Sequence, residues 1–439
     1  VPPEQEDLYL PLQSRRFTFS ELRVEDGEQV YPGQVLAKDP GNYSLPLLAP
    51  RAGIARLSAA QNHIKLESVT TGAEEPYHPD EELAHVPKDM GSAGMKRYKL
   101  LALGAWQFFH DVHTDMLPDP YGIPSAVIVS TIHLEPFVAR GDVQLSKRLR
   151  NFTRGLEHLQ SLLEYQPIYL ILPDVASEFA SQVRETLRGY AWVKMVEIPR
   201  KYPFDDFAVL ARALGMKPGG QGPVWGLRTG GVLAIDRALT LSRPCTVRIV
   251  AIGGPAANNP VHVKVVPGYP LQALLESRVA SQPVRIINGG ALTGETVVPS
   301  QLGLDVECDG LTILPEHRDR EFLAFTRPGW GRRSYGKSFL SSVRGPFPER
   351  LTTALRGERR ACIACGYCEE VCPAGIMPHL IHKYLYQDIL DDAERVRLDL
   401  CVRCGLCSFV CPSKIELRRE FVKAQEMVAR ELHTEKAEA

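Results

Sequence analysis

The chain has 439 residues, 44% of them hydrophobic and 23% charged, with a formal net charge of −1. That length allows about two to four domains with sizeable cores, and the near-neutral balance gives no general pull toward nucleic acid or a charged surface. No apolar run reaches the roughly 18 residues that a membrane-spanning helix needs, and Val1 is not followed by the apolar stretch of a secretion signal, so a soluble, cytoplasmic protein is expected.

In chain order, residues 18–67 alternate Val, Leu and Ile with Gly, Pro and Asp, and Asp26-Gly27, Pro32-Gly33 and Pro40-Gly41 sit where hairpins turn. The stretch resembles a lipoyl/biotinyl-type barrel-sandwich domain, which puts a β domain over residues 1–75. That family carries its arm on a lysine at a hairpin tip; here the tip reads DPGNYS and Lys38 lies before it, so the domain is read as structural. From 98 to about 235, apolar runs alternate with helical stretches: SAVIVSTIHL, one amphipathic helix over 142–163, IYLILPD, VASEFASQVRETLRGY and AWVKMVEI. Strand and helix in alternation argue for a parallel-stranded α/β domain over residues 76–240. Four short β runs, TVRIVAIGG, HVKVVPG, VRIINGG and GLTILPEH, indicate a small β-rich domain over 241–330. A Gly- and Arg-rich segment supplies a linker at 331–350, and a helical module fills 351–439. The fold class expected is therefore α/β multidomain, with a β domain at the N-terminus and a ferredoxin-type helical module at the C-terminus.

Eight of the ten cysteines fall into two copies of one spacing, CIACGYCEEVCP and CVRCGLCSFVCP. Each is C-x2-C-x2-C-x3-C-P, in which three thiolates wrap one face of a cubane and the fourth turns away to the other cluster. One [4Fe–4S] cluster then takes Cys362, Cys365, Cys368 and Cys411, and the second takes Cys401, Cys404, Cys407 and Cys372. Gly366 and Gly405 allow the backbone to approach sulfide, and Pro373 and Pro412 turn the chain away. Zinc also suits four thiolates, but its sites usually come as separated CxxC pairs. Cys245 and Cys308, alone in β-type segments, read as buried structural thiols. Between the cysteine units the sequence is helical, as two short helices or one bent one, and His379 and His382 within it read as boundary residues.

Three blocks, VRIVAIGGPAANNPVHVKVVPG, VRIINGGALTGE and LPEHRDREFLAFTRPGWGRRSYGKSFLS, resemble NqrA of the Na+-translocating NADH:quinone oxidoreductase (Nqr) family, as do LLALGAWQFF and SAVIVSTIHLEPFVA. The two cysteine units instead resemble RnfC of the Rnf complexes, CGLCSFVCPSKIEL most closely. The resemblance implies a peripheral component of a membrane complex, on the cytoplasmic side of the inner membrane. It would relay electrons through two [4Fe–4S] clusters to its partners in that complex and touch the membrane only through them. It also admits a quinone as a ligand of the NqrA-like body.

The Gly-rich GxGGxGFP loop that serves flavin in RnfC has no counterpart: MGSAGMKRYKLLALGAWQFF scatters Gly91, Gly94 and Gly104 with no GFP element. AIGGPAANNP and INGGALTGE lack the strand–GxGxxG–helix context of a dinucleotide fingerprint and read as β-turns. An FMN site is not expected on this reading. The charged block Arg318, Asp319, Arg320 and Glu321 reads as a salt-bridged face. No nucleophile–base pair or acid–base dyad stands out. An NADH-oxidising flavoprotein, a soluble iron–sulfur carrier and a non-catalytic scaffold remain open as alternatives.

Overall fold

The computed structural model describes residues 2–57, 62–69, 91–174, 177–217, 220, 222–280, 283–317, 343, 351–354 and 358–438, the backbone alone from 429 onward. Nearly all of the expected linker, and the Arg318–Glu321 block, lie outside the described residues.

The N-terminal strands are short because turn residues interrupt them: β1 (Leu8–Pro11), β2 (Glu21–Leu22), β3 (Gln29–Val30), β4 (Val35–Asp39), β5 (Leu45–Leu48), β6 (Gly53–Arg56) and β7 (His63–Glu67). They form two antiparallel sheets, in the orders β1-β7-β6-β3 and β2-β4-β5. Leu8, Leu10, Phe17, Leu36, Leu45, Ile64 and Leu66 are fully enclosed, in a core continuous with that of the next domain. Lys38 lies within β4, opposite Glu21 and Pro46 in register, and not at the hairpin tip.

The α/β domain runs α1 (Gly91–Ala102), β8 (His110–Asp111), β9 (Ala126–Ser130), α2 (Gly141–Leu145), α3 (Leu149–Leu162), β10 (Ile168–Pro173), α4 (Glu178–Thr186), β11 (Val193–Ile198), α5 (Phe207–Ala213), β12 (Val224–Arg228) and α6 (Thr229–Leu241). Its sheet has the order β11-β10-β9-β12-β8, parallel except for the edge strand β8. β9 is buried at every position, as expected of a central parallel strand covered on both faces. The chain steps outward from β9 to β10 and β11, then crosses to the other side of β9 to make β12. The order therefore reverses between β9 and β12.

The amphipathic stretch 142–163 is two helices, not one. Lys147 adopts a left-handed φ of 61°, which breaks the hydrogen-bonded run between α2 and α3. α3 buries Phe152, Leu156, Leu159 and Leu162 along one stripe and packs on α6. Gly155 sits at the contact, where a Cβ would lie 2.4 Å from the Val232 carbonyl oxygen. Trp106 stacks on Phe109 at 4.3 Å and meets Trp225 edge-on at 5.3 Å, filling the core beneath the sheet.

The third domain comprises β13 (Arg248–Gly253), β14 (Val261–Val265), α7 (Leu271–Leu275), β15 (Val284–Asn288), β16 (Glu295–Thr296) and β17 (Gly310–Pro315), with sheet order β14-β13-β17-β15-β16. All four β runs expected there are strands. Arg16 joins this domain to the first: its Nε lies 2.5 Å from Glu307 Oε1, and its backbone N–H donates to Glu307 Oε2 at 2.9 Å.

The C-terminal module contains α8 (Tyr367–Glu370), α9 (Pro378–Tyr386), α10 (Leu390–Arg395), α11 (Leu406–Val410) and α12 (Leu417–Glu438). The inter-unit segment is thus two short helices, broken at Asp388, where φ is 57°. Ile381, Leu398, Leu417 and Phe421 form the apolar centre of the module.

Candidate functional site

Two copies of one backbone carry the eight cysteines. Left-handed φ values recur at Ala364 and Arg403, at Gly366 and Gly405, and at Gly375 and Lys414, each pair separated by the same 39 residues as Cys362 and Cys401. Gly366 and Gly405, both at φ 79°, each open the helix that bears the third cysteine, α8 or α11. Only glycine takes that conformation without cost, and alternating hands of backbone turn successive N–H groups into an anion-binding concavity. The copies lock together: Arg360 N–H donates to the Ser413 carbonyl at 3.0 Å, and Ser413 Oγ donates to the Ala361 carbonyl at 2.9 Å.

All eight thiols are free. Burial pushes Cys368 up to about 11, with Cys365 and Cys362 adding to the rise. Burial likewise raises Cys401 to about 11, Cys404 to about 12 and Cys407 further, and Cys372, from the other unit, adds to all three. Cys372 lines one small pocket together with Cys401, Cys404 and Cys407, so it lies beside the second unit's thiols. Four thiols gathered in a desolvated place repel one another once ionised, which a cationic metal core offsets. The donor set suits iron–sulfur ligation. Among the described residues no three His, Cys, Asp or Glu side chains converge closely enough to hold a single ion directly.

The two loops differ in exposure. Residues 361–365, with Cys362 and Cys365, face solvent, whereas Cys404 and Gly405 are buried against the body. Tyr202 Oη donates to the Cys404 carbonyl at 2.7 Å, and Arg212 donates to the Ala374 carbonyl. A Cβ on Gly405 would lie 2.7 Å from the Leu292 carbonyl oxygen. Leu292 belongs to the INGGALTGE turn, which Glu135 fastens by accepting from the N–H groups of Leu292 and Thr293 at 2.8 and 2.7 Å. That stretch is the turn expected, and it seats the inner loop.

Between the α/β domain, the β-rich domain and this loop lies a cavity of about 830 Å³. Ser130, Thr131, Arg228 and Thr229 line it from the C-terminal ends of β9 and β12, and Cys401, Val402 and Cys404 line it from the inner cysteine loop.

The region 93–239 matches the family described as the NqrA second alpha/beta domain, and 249–298 matches the NQRA C-terminal domain. NqrA of the Na(+)-translocating NADH-quinone reductase from Pseudomonas aeruginosa is 29% identical over 380 residues, 85% of this chain and 81% of that protein. The body of the chain is NqrA-like. NqrA from Histophilus somni is 25% identical, covering 85% of this chain and 82% of its own length. Residues 359–416 match the 4Fe-4S dicluster domain, so the NqrA-like body carries a ferredoxin-type domain at its C-terminal end. Two structures of an NAD+-reducing [NiFe]-hydrogenase align with TM-scores of 0.40 and 0.42 at 13% and 11% identity, over 57% and 79% of this chain; the chain spans 53% and 64% of theirs.

Cys245 and Cys308 are buried, each Sγ contacting a carbonyl oxygen, of Ala234 at 3.5 Å and Gly310 at 3.4 Å. His382 Nδ1 lies 2.6 Å from Glu420 Oε2 and His379 Nδ1 3.6 Å from Glu369 Oε2, so both are turned to carboxylates of the module. Sequence reasoning missed Tyr202, Arg212 and Glu135. They lie 157 to 202 residues from the groups they bond, and no local pattern distinguishes them.

Proposed function

We propose that this chain is a peripheral electron-transfer subunit of an Nqr/Rnf-type membrane complex, passing single electrons through two [4Fe–4S] clusters between a cytoplasmic donor and membrane subunits. The position of Cys372 among Cys401, Cys404 and Cys407 carries the reading. It supports one set of Cys362, Cys365, Cys368 and Cys411 and a second of Cys401, Cys404, Cys407 and Cys372. When bound, such clusters supply one-electron chemistry whose potential depends on burial and hydrogen bonding. The chain's own part is to hold thiolates on two left-handed loops, to keep water from Cys404 and to leave Cys362 and Cys365 within reach of a partner protein. The exposed loop suits exchange with that partner, and the buried one suits exchange with the body.

Domain limits near 75, 240, 330 and 350 and a barrel-sandwich N-terminal domain belong to the same proposal, as does a place on the cytoplasmic face of the membrane. Among the described residues no helix is long and apolar enough to cross a membrane, and the similar proteins belong to a Na(+)-translocating reductase. Anaerobic reconstitution followed by electron paramagnetic resonance tests the wiring. Cys372→Ser and Cys404→Ser should abolish the same signal, and Cys411→Ser and Cys365→Ser the other. Loss of a common signal in Cys372→Ser and Cys365→Ser instead would overturn the crossed assignment.

A further inference from the structure

The 39-residue offset between the two cysteine units pairs each residue of the outer loop with a counterpart in the inner one. The pairs differ in charge. Where the inner copy has Arg403, Lys414 and Arg418, the outer copy has Ala364, Gly375 and His379; where the outer copy has Glu369 and Glu370, the inner has Ser408 and Phe409. The backbone does not ask for these cations. It is left-handed in both copies, with φ of 52° at Ala364 and 56° at Arg403, and of 63° at Gly375 and 57° at Lys414. Such a turn favours glycine over any long side chain. Ahead of each unit the charges run the other way, but they are paired or open to solvent: Arg359 meets Glu416 at 2.8 Å, Asp399 meets Arg397 at 3.0 Å, and Arg360 is exposed.

Arg403 and Arg418 line the same small pocket as Cys372, Cys401, Cys404 and Cys407, and among the described residues no Asp or Glu lines it with them. Both arginines are half-buried. Both are fixed by neutral acceptors: Arg403 Nε donates to Gln425 Oε1 at 2.6 Å, and Arg418 Nε donates to the Arg403 carbonyl at 2.8 Å. Gln425 completes the brace by donating to the Leu398 and Cys401 carbonyls at 2.9 and 3.1 Å. The carboxylates that reach this loop from the body are engaged or solvated. Glu135 accepts from the Leu292 and Thr293 N–H groups, Asp206 caps α5 through Ala208 and Val209, and Glu295 is exposed on β16. Two positive charges therefore stand beside the inner thiols with no anion sharing their pocket.

A [4Fe–4S] centre on four thiolates gains negative charge when it is reduced. Burial therefore lowers its potential, and a cation close by raises it. We propose that Arg403 and Arg418 are positioning residues that set the potential of the inner centre, their charges holding up an electron affinity that burial against the body would otherwise depress. The inference rests on the relay reading, which supplies the cluster, and goes beyond it by naming the residues that let the inner loop be both enclosed and reducible.

A redox titration of the anaerobically reconstituted full chain, followed by electron paramagnetic resonance, tests it; the inner signal is the one that Cys404→Ser abolishes. Arg403→Gln and Arg418→Gln should each weaken the inner electron affinity by about tenfold, a fall of about 59 mV for one electron, and should move the outer midpoint less. That is the scale of one unit charge removed from a partly screened site. Arg418→Lys keeps the charge and should keep most of the wild-type midpoint. Ala364→Arg places a cation at the matching point of the outer loop, where φ already equals that of Arg403 within a few degrees. It should raise the outer midpoint at low salt, and it decides the matter if the inner variants do not assemble. Unmoved inner midpoints in variants with wild-type iron overturn the proposal, as does an equal fall in Arg418→Lys, which would mark the bond to the Arg403 carbonyl and not the charge as the cause. Iron content on the same samples keeps the two readings apart: wild-type protein without iron removes the relay and this inference with it, whereas full iron with unmoved midpoints removes this inference alone.

Discussion

Gly366 and Gly405 occupy the same place in two copies of one loop and share a φ of 79°, yet replacing them with alanine should have unequal effects. Holding an alanine in the left-handed region costs about 1–2 kcal/mol at either site. At Gly366 nothing lies within 4 Å of the added methyl, so that cost stands alone. At Gly405 the methyl would lie 2.7 Å from the Leu292 carbonyl oxygen, well inside the 3.4 Å at which ordinary contact begins. Leu292 is held by its bond to Glu135 and cannot easily withdraw, so overpacking of about 1–3 kcal/mol adds to the strain. The excess falls on the docking of the module onto the body. Thermal unfolding of reconstituted protein, followed by cluster absorbance and by circular dichroism, measures it. For a domain of this module's size, each kcal/mol lowers the midpoint by roughly 4–8 °C, so Gly405→Ala should melt several degrees below Gly366→Ala. Equal midpoints would refute the argument that the inner loop is seated on Leu292.

Tyr202→Phe removes the hydroxyl bonded to the Cys404 carbonyl. It should cost about 0.5–1.5 kcal/mol and shift the potential of one cluster while leaving the other in place; a redox titration in which neither moves counts against the docking role. Glu307→Gln probes the joint between the first and third domains. Burial alone would raise the Glu307 carboxyl, but the Arg16 and Arg15 cations hold it at about 2, against an ordinary value of 4.5. Its folded pKa lies below its unfolded one, so its contribution is complete above pH 4.5 and disappears as the pH falls toward 2. The glutamine variant should therefore lose less stability than wild type across that window, read as urea midpoints against pH, and a parallel decline in both proteins refutes the pairing. Leu156→Ala, at a fully enclosed site on α3, should cost about 2–5 kcal/mol; a urea midpoint lowered by much less would mean that α3 and α6 close over the cavity left behind.

Much of the architecture is written locally. The runs that became β9, β10, β11 and the strands of the third domain are β-branched and bounded by turn residues, so their existence follows from sequence alone. The cysteine units state their own chemistry, because four ligands lie within eleven residues and the turn glycines lie between them. The break at Lys147 was not legible, since the apolar spacing of 142–163 continues across it and only the backbone reverses hand. β12 went unmarked because VWGLR is short and runs directly into a helix. The seat of the inner loop was beyond reach for a different reason. Tyr202, Arg212 and Leu292 meet the module only through tertiary folding, and a residue that donates one hydrogen bond to a distant carbonyl leaves no periodic trace.

The bonds from Arg360 and Ala361 to Ser413 have a bearing on biogenesis. A ribosome delivers the earlier half of the module first, but its closing partner emerges some fifty residues later, and chain growth at about 5–20 residues per second imposes a wait of seconds. Through that interval Cys362, Cys365 and Cys368 stand on an unfinished loop, open to oxidation and to stray metals. On the proposed wiring a nascent chain stopped before Cys411 can complete one cage and not the other. The two centres of the proposed wiring thus differ in timing: one set of four ligands is complete once Cys407 has emerged, and the other waits for Cys411.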